Sequence, residues 1–300
     1  MATRGGLAVK TTEGVLRAGD GQGLYTKAWE PPPESAKAVL VWLHGFGDHC
    51  NTFGELFEAL ASHGIGVRAL DQRGWGRSVA QASDRGLTGP TARVLADISD
   101  FVQALPATDL PLFLGGHSMG GASALLWAAR GPAKARLAFR GYVVAAPFLR
   151  FHDSVAPPRP VVWLARALAG WFPARQIDKP RIESISRDVD VQRAMADDAL
   201  VHDTGTLRGV VDMIRRGDEL AAGLHDLPPP QHDEATSLWI GQGDADRIVC
   251  PEAAARYFAR SPVTDKHLRI YEGCCHNLHS EPQADFANDV VAWISERAGC

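Results

Sequence analysis

The sequence contains no long apolar segment. No run approaches the roughly 18 apolar residues that a membrane-spanning helix needs. The N-terminal stretch MATRGGLAVKTTEG also lacks the apolar core of a secretory signal. We therefore expect neither a transmembrane anchor nor secretion, and we predict a cytoplasmic protein.

Cysteine is scarce as well. The 300 residues include five cysteines, an odd number, and two of them, Cys274 and Cys275, are adjacent. This arrangement suits free thiols in a reducing compartment better than a disulfide framework. The sequence has no CxxC pair, so the cysteines give no indication of a zinc site.

An excess of basic charge is also missing. The formal net charge is −4, with 31 Lys and Arg against 35 Asp and Glu. Nucleic acids are recognised through clustered positive charge. We therefore expect no nucleic-acid partner, and a small uncharged substrate is compatible with this composition.

Apolar segments and helical patterns alternate in both terminal parts of the chain. The segments AVLVWLHG, GVRAL, PLFLGG and GYVVAAP are typical of buried strands, with amphipathic stretches between them. The alternation returns from SLWIGQGD, at residue 237, to the final helix. This order predicts an α/β fold, with a mostly parallel sheet flanked by helices.

The alternation stops between residues 148 and 232. This interval has the proline clusters APPRP and LPPPQ near its ends and contains only helical patterns. We predict an inserted helical cap at 148–232, between two parts of the core at 1–147 and 233–300. Its segment Val161–Phe172, VVWLARALAGWF, is apolar almost all round. It is therefore either packed wholly inside or turned toward lipid and acyl chains as part of a lid.

The motif GHSMG, Gly116–Gly120, follows one predicted strand and precedes a helix. In that context G-x-S-x-G is typical of a nucleophile elbow, a sharp turn that presents the serine hydroxyl above the sheet edge. Small residues two positions before and after the serine are needed because the turn brings their backbones together. The alternative for the motif alone is a glycine-rich turn with an incidental serine.

A nucleophilic serine needs a histidine base and a carboxylate that orients the base, in the chain order Ser, Asp, His for such a fold. Asp244 and Asp246 follow the predicted strand SLWIGQ, and His276 and His279 follow HLRIYEG. Each pair lies just past the C-terminal end of a strand, the edge at which open α/β sheets build their sites. This joint pattern favours Ser118 as a catalytic nucleophile.

Five motifs in order resemble a known family: HGFGDH at 44–49, DQRGWGRS at 71–78, GHSMGG at 116–121, GDADRIV at 243–249 and YEGCCHNLHSEP at 271–282. They are similar to the monoacylglycerol lipase and lysophospholipase branch of the α/β-hydrolase superfamily, the serine aminopeptidase-type hydrolases. The resemblance implies an α/β-hydrolase fold with a helical lid and an ester hydrolase that forms an acyl-enzyme.

The resemblance also assigns the site residues. It implies that Ser118 is the nucleophile, His276 the general base and Asp246 the orienting acid. Asp246 occupies the aspartate of the family's G-x-x-D-x-x-V pattern, whereas Asp244 falls at a variable position. The reaction implied by these residues requires no metal ion and no organic cofactor.

Other groups around the reaction are implied in the same way. The backbone N–H groups of Phe46 and Met119 are the expected oxyanion hole. Four apolar cap residues are expected to bind the substrate: Trp163, Leu200, Val201 and Leu207. The expected partner is a small-molecule ester, with peripheral contact of the cap to a membrane or lipid droplet, and the protein is a monomer or a homodimer.

The loop DQRGWGRS keeps other activities open. It departs from the family's D-H-x-G-H-G-x-S pattern and is also similar to proline iminopeptidases, so an aminopeptidase is an alternative. Those peptidases carry H-G-G-P-G in the oxyanion loop and a tryptophan after the nucleophile, where this chain has HGFGD and Met119. A cofactor-free perhydrolase or transferase could use the same residues, and a non-catalytic ligand receptor could use the same fold.

Four polar residues in these motifs are expected to be structural. Asp71 is predicted to be a buried carboxylate that organises its glycine-rich loop. His44, His49 and His117 are expected to support the loops rather than to react.

Overall fold

The computed structural model describes residues 8–178, 188–228, 236–281 and 283–299. The strands within these ranges are β1 Lys10–Arg17, β2 Gly23–Glu30, β3 Ala38–Leu43, β4 Ile65–Leu70, β5 Leu112–His117, β6 Phe139–Ala145, β7 Gln176–Asp178, β8 Thr204–Thr206, β9 Ser237–Gly243 and β10 Asp265–Tyr271. The α-helices are α1 Gly54–Ser62, α2 Thr91–Gln103, α3 Met119–Arg130, α4 Ala133–Arg136, α5 Arg159–Ala169, α6 Val189–Asp197, α7 Leu207–Ala221, α8 Pro251–Arg260 and α9 Phe286–Ala298.

Eight strands form one sheet in the order β1-β2-β4-β3-β5-β6-β9-β10. The strands from β4 to β10 in this order are mutually parallel, whereas β2 runs antiparallel to both β1 and β4. The predicted mostly parallel sheet is confirmed. The antiparallel pair at one edge was not predicted, because β1 is exposed along most of its length and its sequence, KTTEGVLR, has no apolar run.

The central strands are buried on both faces of the sheet. All six residues of β3 are buried, and they alternate between two core clusters, with Val41 and Leu43 in one and Leu40 and Trp42 in the other. Helices α2, α3 and α8 contribute to the first cluster, and α1 and α9 to the second. Because helices cover both faces, these strands have nearly continuous apolar sequences.

The chain leaves the sheet after Ala145, where β6 ends, and returns at Ser237, where β9 pairs beside β6. Helices α5, α6 and α7 lie between these points, together with an antiparallel pair of β7 and β8. The expectation of only helical structure here is wrong, because β7 and β8 form a short sheet. The sequence did not indicate them, since strands of three residues are too short to show a periodic pattern. The predicted boundary at 232 and 233 lies outside the described residues.

Helix α5 and the turn after it present apolar side chains to solvent. Trp163 is 71% exposed and Trp171 82% exposed, and their neighbours share this surface. We define the apolar cap face by its six residues: Val161, Trp163, Leu164, Leu168, Trp171 and Phe172. The sequence left open whether this helix is packed wholly inside or turned outward. The exposed side chains exclude the wholly packed arrangement.

Candidate active site

Ser118 occupies a strained turn between β5 and α3. Its φ is 53° and its ψ is −117°, a region that non-glycine residues rarely adopt. Backbone hydrogen bonds hold the turn on both sides, since Ser118 N donates to Ala145 O at 3.0 Å and Phe148 N donates to Ser118 O at 2.9 Å. A conformation of this kind costs about 1–3 kcal/mol and is kept where the surroundings enforce it.

The two flanking glycines are required by close backbone contacts. A Cβ atom on Gly116 would lie 2.6 Å from Leu43 O, and one on Gly120 would lie 2.6 Å from Leu43 C and close to His44 O as well. Real Cβ atoms do not approach backbone atoms so closely. A Cβ atom on Gly116 would also lie 2.7 Å from Gly120 C, so the backbones on the two sides of the turn are in close contact as predicted. The contacts with Leu43 and His44 are a further constraint that the sequence did not indicate.

Asp246 and His276 form a short hydrogen-bonded pair beside this turn. Nδ1 of His276 lies 2.7 Å from Oδ2 of Asp246, and Oδ1 accepts the backbone N–H groups of Ile248 at 2.8 Å and Val249 at 3.0 Å. Burial alone would raise the pKa of Asp246. The charge and hydrogen bond of His276, with the two backbone donors, outweigh burial and hold that pKa below its ordinary value.

Asp244 and His279, the alternative candidates close to Asp246 and His276 in the sequence, make other contacts. Asp244 is exposed, and its Oδ1 accepts the N–H of Gly273 at 2.7 Å, so it shapes the loop after β10. The ring of His279 packs 4.2 Å from that of Phe53, measured between centroids. Burial lowers the pKa of His279 to about 3, so this imidazole is neutral at physiological pH.

Ser118 and His276 line the same cavity, of about 70 Å³. Its described lining also includes Asp48, Asp203 and Asn277 and five apolar side chains: Phe148, Phe151, Met195, Met213 and Ile248. No Lys or Arg is found in this described lining. The cavity is therefore suited to an apolar chain and an uncharged ester more than to an anionic headgroup.

The two predicted oxyanion donors flank the serine. Met119 is the first residue of α3, where a backbone N–H has no acceptor within the helix. Phe46 follows β3, lines the cavity and packs its ring 4.6 Å from that of Trp75. The positions are suitable for an oxyanion hole, and the two donors stay predictions.

The residues expected to be structural hold the loops around the site. His44 Nε2 accepts the N–H of Gln72 at 2.8 Å, and the side chain of Gln72 donates to His44 O at 2.7 Å. Burial lowers the pKa of His44 to about 4, so it serves as a neutral acceptor. The carboxylate of Asp71 accepts the N–H groups of Cys50 and Arg77, both at 2.8 Å.

The other two histidines also make supporting contacts. His49 Nε2 lies 2.9 Å from Oδ2 of Asp198, just after α6, so it connects the core to the inserted segment. His117 Nε2 donates to His276 O at 3.2 Å. Burial keeps the pKa of His117 well below its ordinary value, so its ring is neutral against that of His276.

The cap residues predicted to bind substrate lie outside the described lining of the Ser118 cavity. Trp163 is on the apolar cap face, and Leu207 packs with Ala169 in a small cluster of the cap. Leu200 and Val201 are partly buried in the loop after α6. None of the four belongs to the described lining of the Ser118 cavity, so their role in substrate binding stays a prediction.

Sequence reasoning did not identify the apolar residues that do line this cavity. Phe148 and Phe151 follow the C-terminal end of β6, and Ile248 lies in the loop after β9 that also carries Asp246. The position of these residues just past strand ends was a usable signal. Met213 lies on α7, and no local pattern indicated which part of the core it would meet.

Within the described ranges, no group of three or more His, Cys, Asp or Glu side chains is arranged to hold a metal ion. Cys50, Cys250 and Cys274 are free thiols. Within the same ranges, no helix has both the length and the apolar character to cross a membrane.

Comparisons with known proteins agree with the geometry. The profile of the family described as Hydrolase_4: Serine aminopeptidase, S33 matches residues 34–283. A Schizosaccharomyces pombe protein, provisionally named a monoglyceride lipase, is 33% identical over 283 residues, which are 92% of this chain and 72% of the relative. The monoacylglycerol lipase of Mycolicibacterium smegmatis is 28% identical over 281 residues, 89% of this chain and 90% of the relative.

A solved structure shows the same fold. The crystal structure of a soluble variant of monoglyceride lipase from Saccharomyces cerevisiae, in complex with a substrate analogue, matches with a TM-score of 0.82. The match covers 97% of this chain and 95% of that one at 22% sequence identity. At this identity the match establishes the shared fold alone.

Proposed function

This chain belongs to the serine aminopeptidase family of α/β-hydrolases and is a monoacylglycerol lipase-like ester hydrolase, and we propose that it cleaves monoacylglycerols and similar uncharged lipid esters through an acyl-enzyme. The observation that carries the proposal is the arrangement at the cavity. Ser118, in its strained turn, lines the same cavity as His276, and Nδ1 of His276 is hydrogen-bonded to Asp246.

Each residue has one role in the proposed mechanism. Asp246 accepts the hydrogen bond of Nδ1–H, so Nε2 of His276 is left as the base. The hydroxyl of Ser118 attacks the ester carbonyl while Nε2 takes its proton. The N–H groups of Met119 and Phe46 stabilise the oxyanion that forms.

The second half of the reaction uses the same groups. His276 returns the proton to the departing alcohol, which leaves the acyl group on Ser118. A water molecule then gives a proton to His276 and attacks the acyl-enzyme, and His276 returns that proton to Oγ of Ser118 as the fatty acid is released. Every proton and bond is accounted for by these residues, the ester and water.

The lining of the cavity supports an uncharged lipid ester as substrate. Its apolar walls suit an acyl chain, and each buried methylene contributes about 0.8 kcal/mol to binding. Asp48 and Asp203 also place two carboxyl groups in the lining, which makes an anionic headgroup still less favourable here. We therefore expect kcat/KM to rise with acyl-chain length until the cavity is filled.

A substrate panel on purified protein tests this proposal. Monoacylglycerols, lysophospholipids, short p-nitrophenyl esters and aminoacyl amides are compared at matched concentrations. Faster cleavage of medium-chain monoacylglycerols than of acetate esters or prolyl amides supports it. Release of N-terminal proline would instead favour the aminopeptidase, and acid-dependent peroxide chemistry the perhydrolase.

The non-catalytic receptor is tested separately. A labelled fluorophosphonate reacts covalently with an activated serine and not with an ordinary hydroxyl. We expect the label on Ser118, and its absence there would favour a receptor on this fold. The free thiols of Cys50, Cys250 and Cys274 support a reducing compartment such as the cytoplasm as part of the proposal.

We further propose that the apolar cap face rests on a lipid surface. Its side chains, including two tryptophans and a phenylalanine, are exposed together on one helix and the following turn. Arg159 on the same helix can interact with lipid phosphates, as is typical of helices that lie in a membrane interface, whereas Arg166 is paired with Asp218 at 3.1 Å. The proposed occupant is therefore the surface of a membrane or droplet that contains the ester substrate.

Vesicle binding distinguishes this role from a purely structural one. The double variant Trp163→Ala and Trp171→Ala is expected to bind phosphatidylcholine vesicles several-fold more weakly and to lose hydrolysis of vesicle-borne monoacylglycerol. Cleavage of a short soluble ester should be unchanged. The control is Val15→Ala on β1, a residue that is exposed to a similar extent, and equal binding by both variants would contradict the proposal.

A further inference from the structure

Gln242 is a buried polar residue that the proposed mechanism does not use. It lies in β9 next to Gly243, and its side chain is fully buried. Burial of an amide in a sheet core is unfavourable unless its hydrogen bonds are made. The contacts of this side chain therefore indicate why an amide is present there.

The two ends of the amide differ in their contacts with the described residues. Nε2 donates to Gly243 O and to Oδ2 of Asp246, both at 3.1 Å, whereas Oε1 is buried without a partner among these residues. The orientation of the amide is defined by these contacts, because the flipped amide would place its oxygen against a carbonyl and a carboxylate. A side chain kept for packing alone would not need this donor.

The contact is made with the carboxylate oxygen that also bonds the histidine. Oδ2 of Asp246 is held by Gln242 and by His276, while Oδ1 is held by two backbone N–H groups. With three donors besides the imidazole, the carboxylate cannot rotate about its side-chain bonds. Gln242 is the single side chain among those three donors.

We infer that Gln242 is a positioning residue that acts on the reaction through Asp246. It orients Oδ2 toward Nδ1 of His276 and shares the negative charge of that oxygen. The inference rests on the proposed roles of Asp246 and His276. Gln242 does not belong to the described lining of the Ser118 cavity, so it has no direct contact with substrate there.

The substitution Gln242→Met removes the donor and keeps a side chain of similar length. A hydrogen bond to a charged group makes a difference of roughly ten- to a hundredfold in rate, so we expect kcat to fall by that factor while KM stays nearly unchanged. Without the donor of Gln242, the carboxylate of Asp246 attracts the protonated imidazole of His276 more strongly. The acid limb of the kcat/KM profile should move to higher pH, by on the order of half a unit.

Other titratable groups near His276 are accounted for in that profile. His117, His279, Asp48 and Asp203 face the imidazole or its cavity, and the substitution changes none of them. A loss of packing alone would lower stability without moving the acid limb. An unchanged kcat and an unchanged pH profile in folded Gln242→Met would overturn the inference.

The variant Gln242→Glu keeps the inference testable if the first variant does not fold. While the introduced carboxyl group is protonated it can still donate to Asp246, and this donor is lost when the group ionises. We therefore expect a new alkaline limb in the kcat/KM profile, with activity retained just above the acid limb and lost as the pH rises further, because two adjacent carboxylates cannot both be charged at low cost. A wild-type pH profile for Gln242→Glu would also overturn the inference.

A matched control and a second readout separate this inference from the proposed function. Tyr257→Phe removes another buried polar group without a described partner, on α8, and should leave both kcat and the pH profile unchanged. The rate at which a fluorophosphonate modifies Ser118 is measured against pH for every variant. If the wild type is labelled but cleaves no acylglycerol, the proposed substrate is wrong, and the labelling rates still decide the role of Gln242.

Discussion

Asp246 and His276 are 30 residues apart in the sequence, yet the two side chains meet at 2.7 Å. They follow β9 and β10, which are adjacent parallel strands with Gly243 opposite Tyr271 in the register. Because the strands end side by side, the loops after them leave the sheet at the same edge. The contact is therefore a direct result of strand register.

This contact gives the first prediction. Asp246→Asn should lower kcat by on the order of 10³- to 10⁴-fold, because the amide no longer favours the imidazole tautomer that leaves Nε2 as base. Asp244→Asn should change kcat less than about threefold, since the side chain of Asp244 bonds only to the backbone N–H of Gly273 among the described contacts. Steady-state kinetics on a soluble ester measure kcat for both variants. Equal losses of kcat would mean that the orienting role has been assigned to the wrong aspartate of this loop.

The second prediction concerns the nucleophile. Ser118→Ala should reduce turnover by at least about a thousandfold while an acyl ligand still binds, because the substitution removes only the reacting oxygen. Turnover is measured with a chromogenic ester and binding with a non-hydrolysable ether analogue. Substantial residual turnover would refute the assignment of Ser118.

The backbone strain at the same position can be measured as stability. Ser118→Gly should unfold with a free energy about 1 kcal/mol higher than Ser118→Ala, because glycine adopts a φ of 53° without a Cβ clash. Urea denaturation of the two inactive variants gives this difference. If alanine is the more stable of the two, the strained conformation is not enforced in solution.

The flanking glycines lead to a third prediction. Gly120→Ala should lower the free energy of unfolding by at least about 2 kcal/mol, because its Cβ would collide with the backbone of Leu43 in a central strand. Gly54→Ala is the matched control, since nothing lies within 4 Å of a Cβ there and Gly54 begins α1 in a helical conformation. The control should be neutral or stabilising by about 0.5 kcal/mol.

The fourth prediction follows from the buried carboxyl group of Asp48. Burial raises its pKa from 3.8 to about 6, so the folded protein takes up this proton at a higher pH than the unfolded chain does. Its contribution to stability is present at low pH and is lost as the pH rises from about 4 through 6. Charged Asp48 therefore destabilises the fold at neutral pH.

Asp48→Asn tests the sign of this effect. The amide oxygen can still accept from His49 N and Thr52 Oγ1, so the local contacts are kept. The variant should be more stable at pH 8 by on the order of 3 kcal/mol, and the gain should vanish below about pH 4. Chemical denaturation at the two pH values measures it, and a difference independent of pH would contradict the prediction.

Much of the fold could be predicted because its signals are local. The central strands have continuous apolar sequences, and the glycines around Ser118 form a recognisable motif within Gly116–Gly120. The contacts that require these glycines also include Leu43 and His44, which are distant in the sequence. The order of the motifs then places Asp246 and His276 at one sheet edge, where the structure has them in contact. The preference for Asp246 over Asp244 came from the family pattern and agrees with that contact.

The walls of the cavity could not be predicted, because they depend on how the cap packs on the core. Helix α7 has two contact faces, with Leu207 and Val211 directed to α5 and Met213 directed to the core. Periodicity identifies an apolar residue on such a helix but not the element it meets. For this reason the sequence pointed to Leu207, whereas Met213 lines the cavity beside Ser118.

The position of the inserted segment has an evolutionary consequence. It joins Ala145 to Ser237, the ends of two strands that lie side by side, so chain closure requires only that its own ends meet. The entropy of closing such a connection changes slowly, by about 0.6 kcal/mol for each doubling of its length. Changes of length within the segment therefore cost the sheet little as long as the core contacts of α7, such as that of Met213, are kept, and selectivity can change while the reaction is inherited.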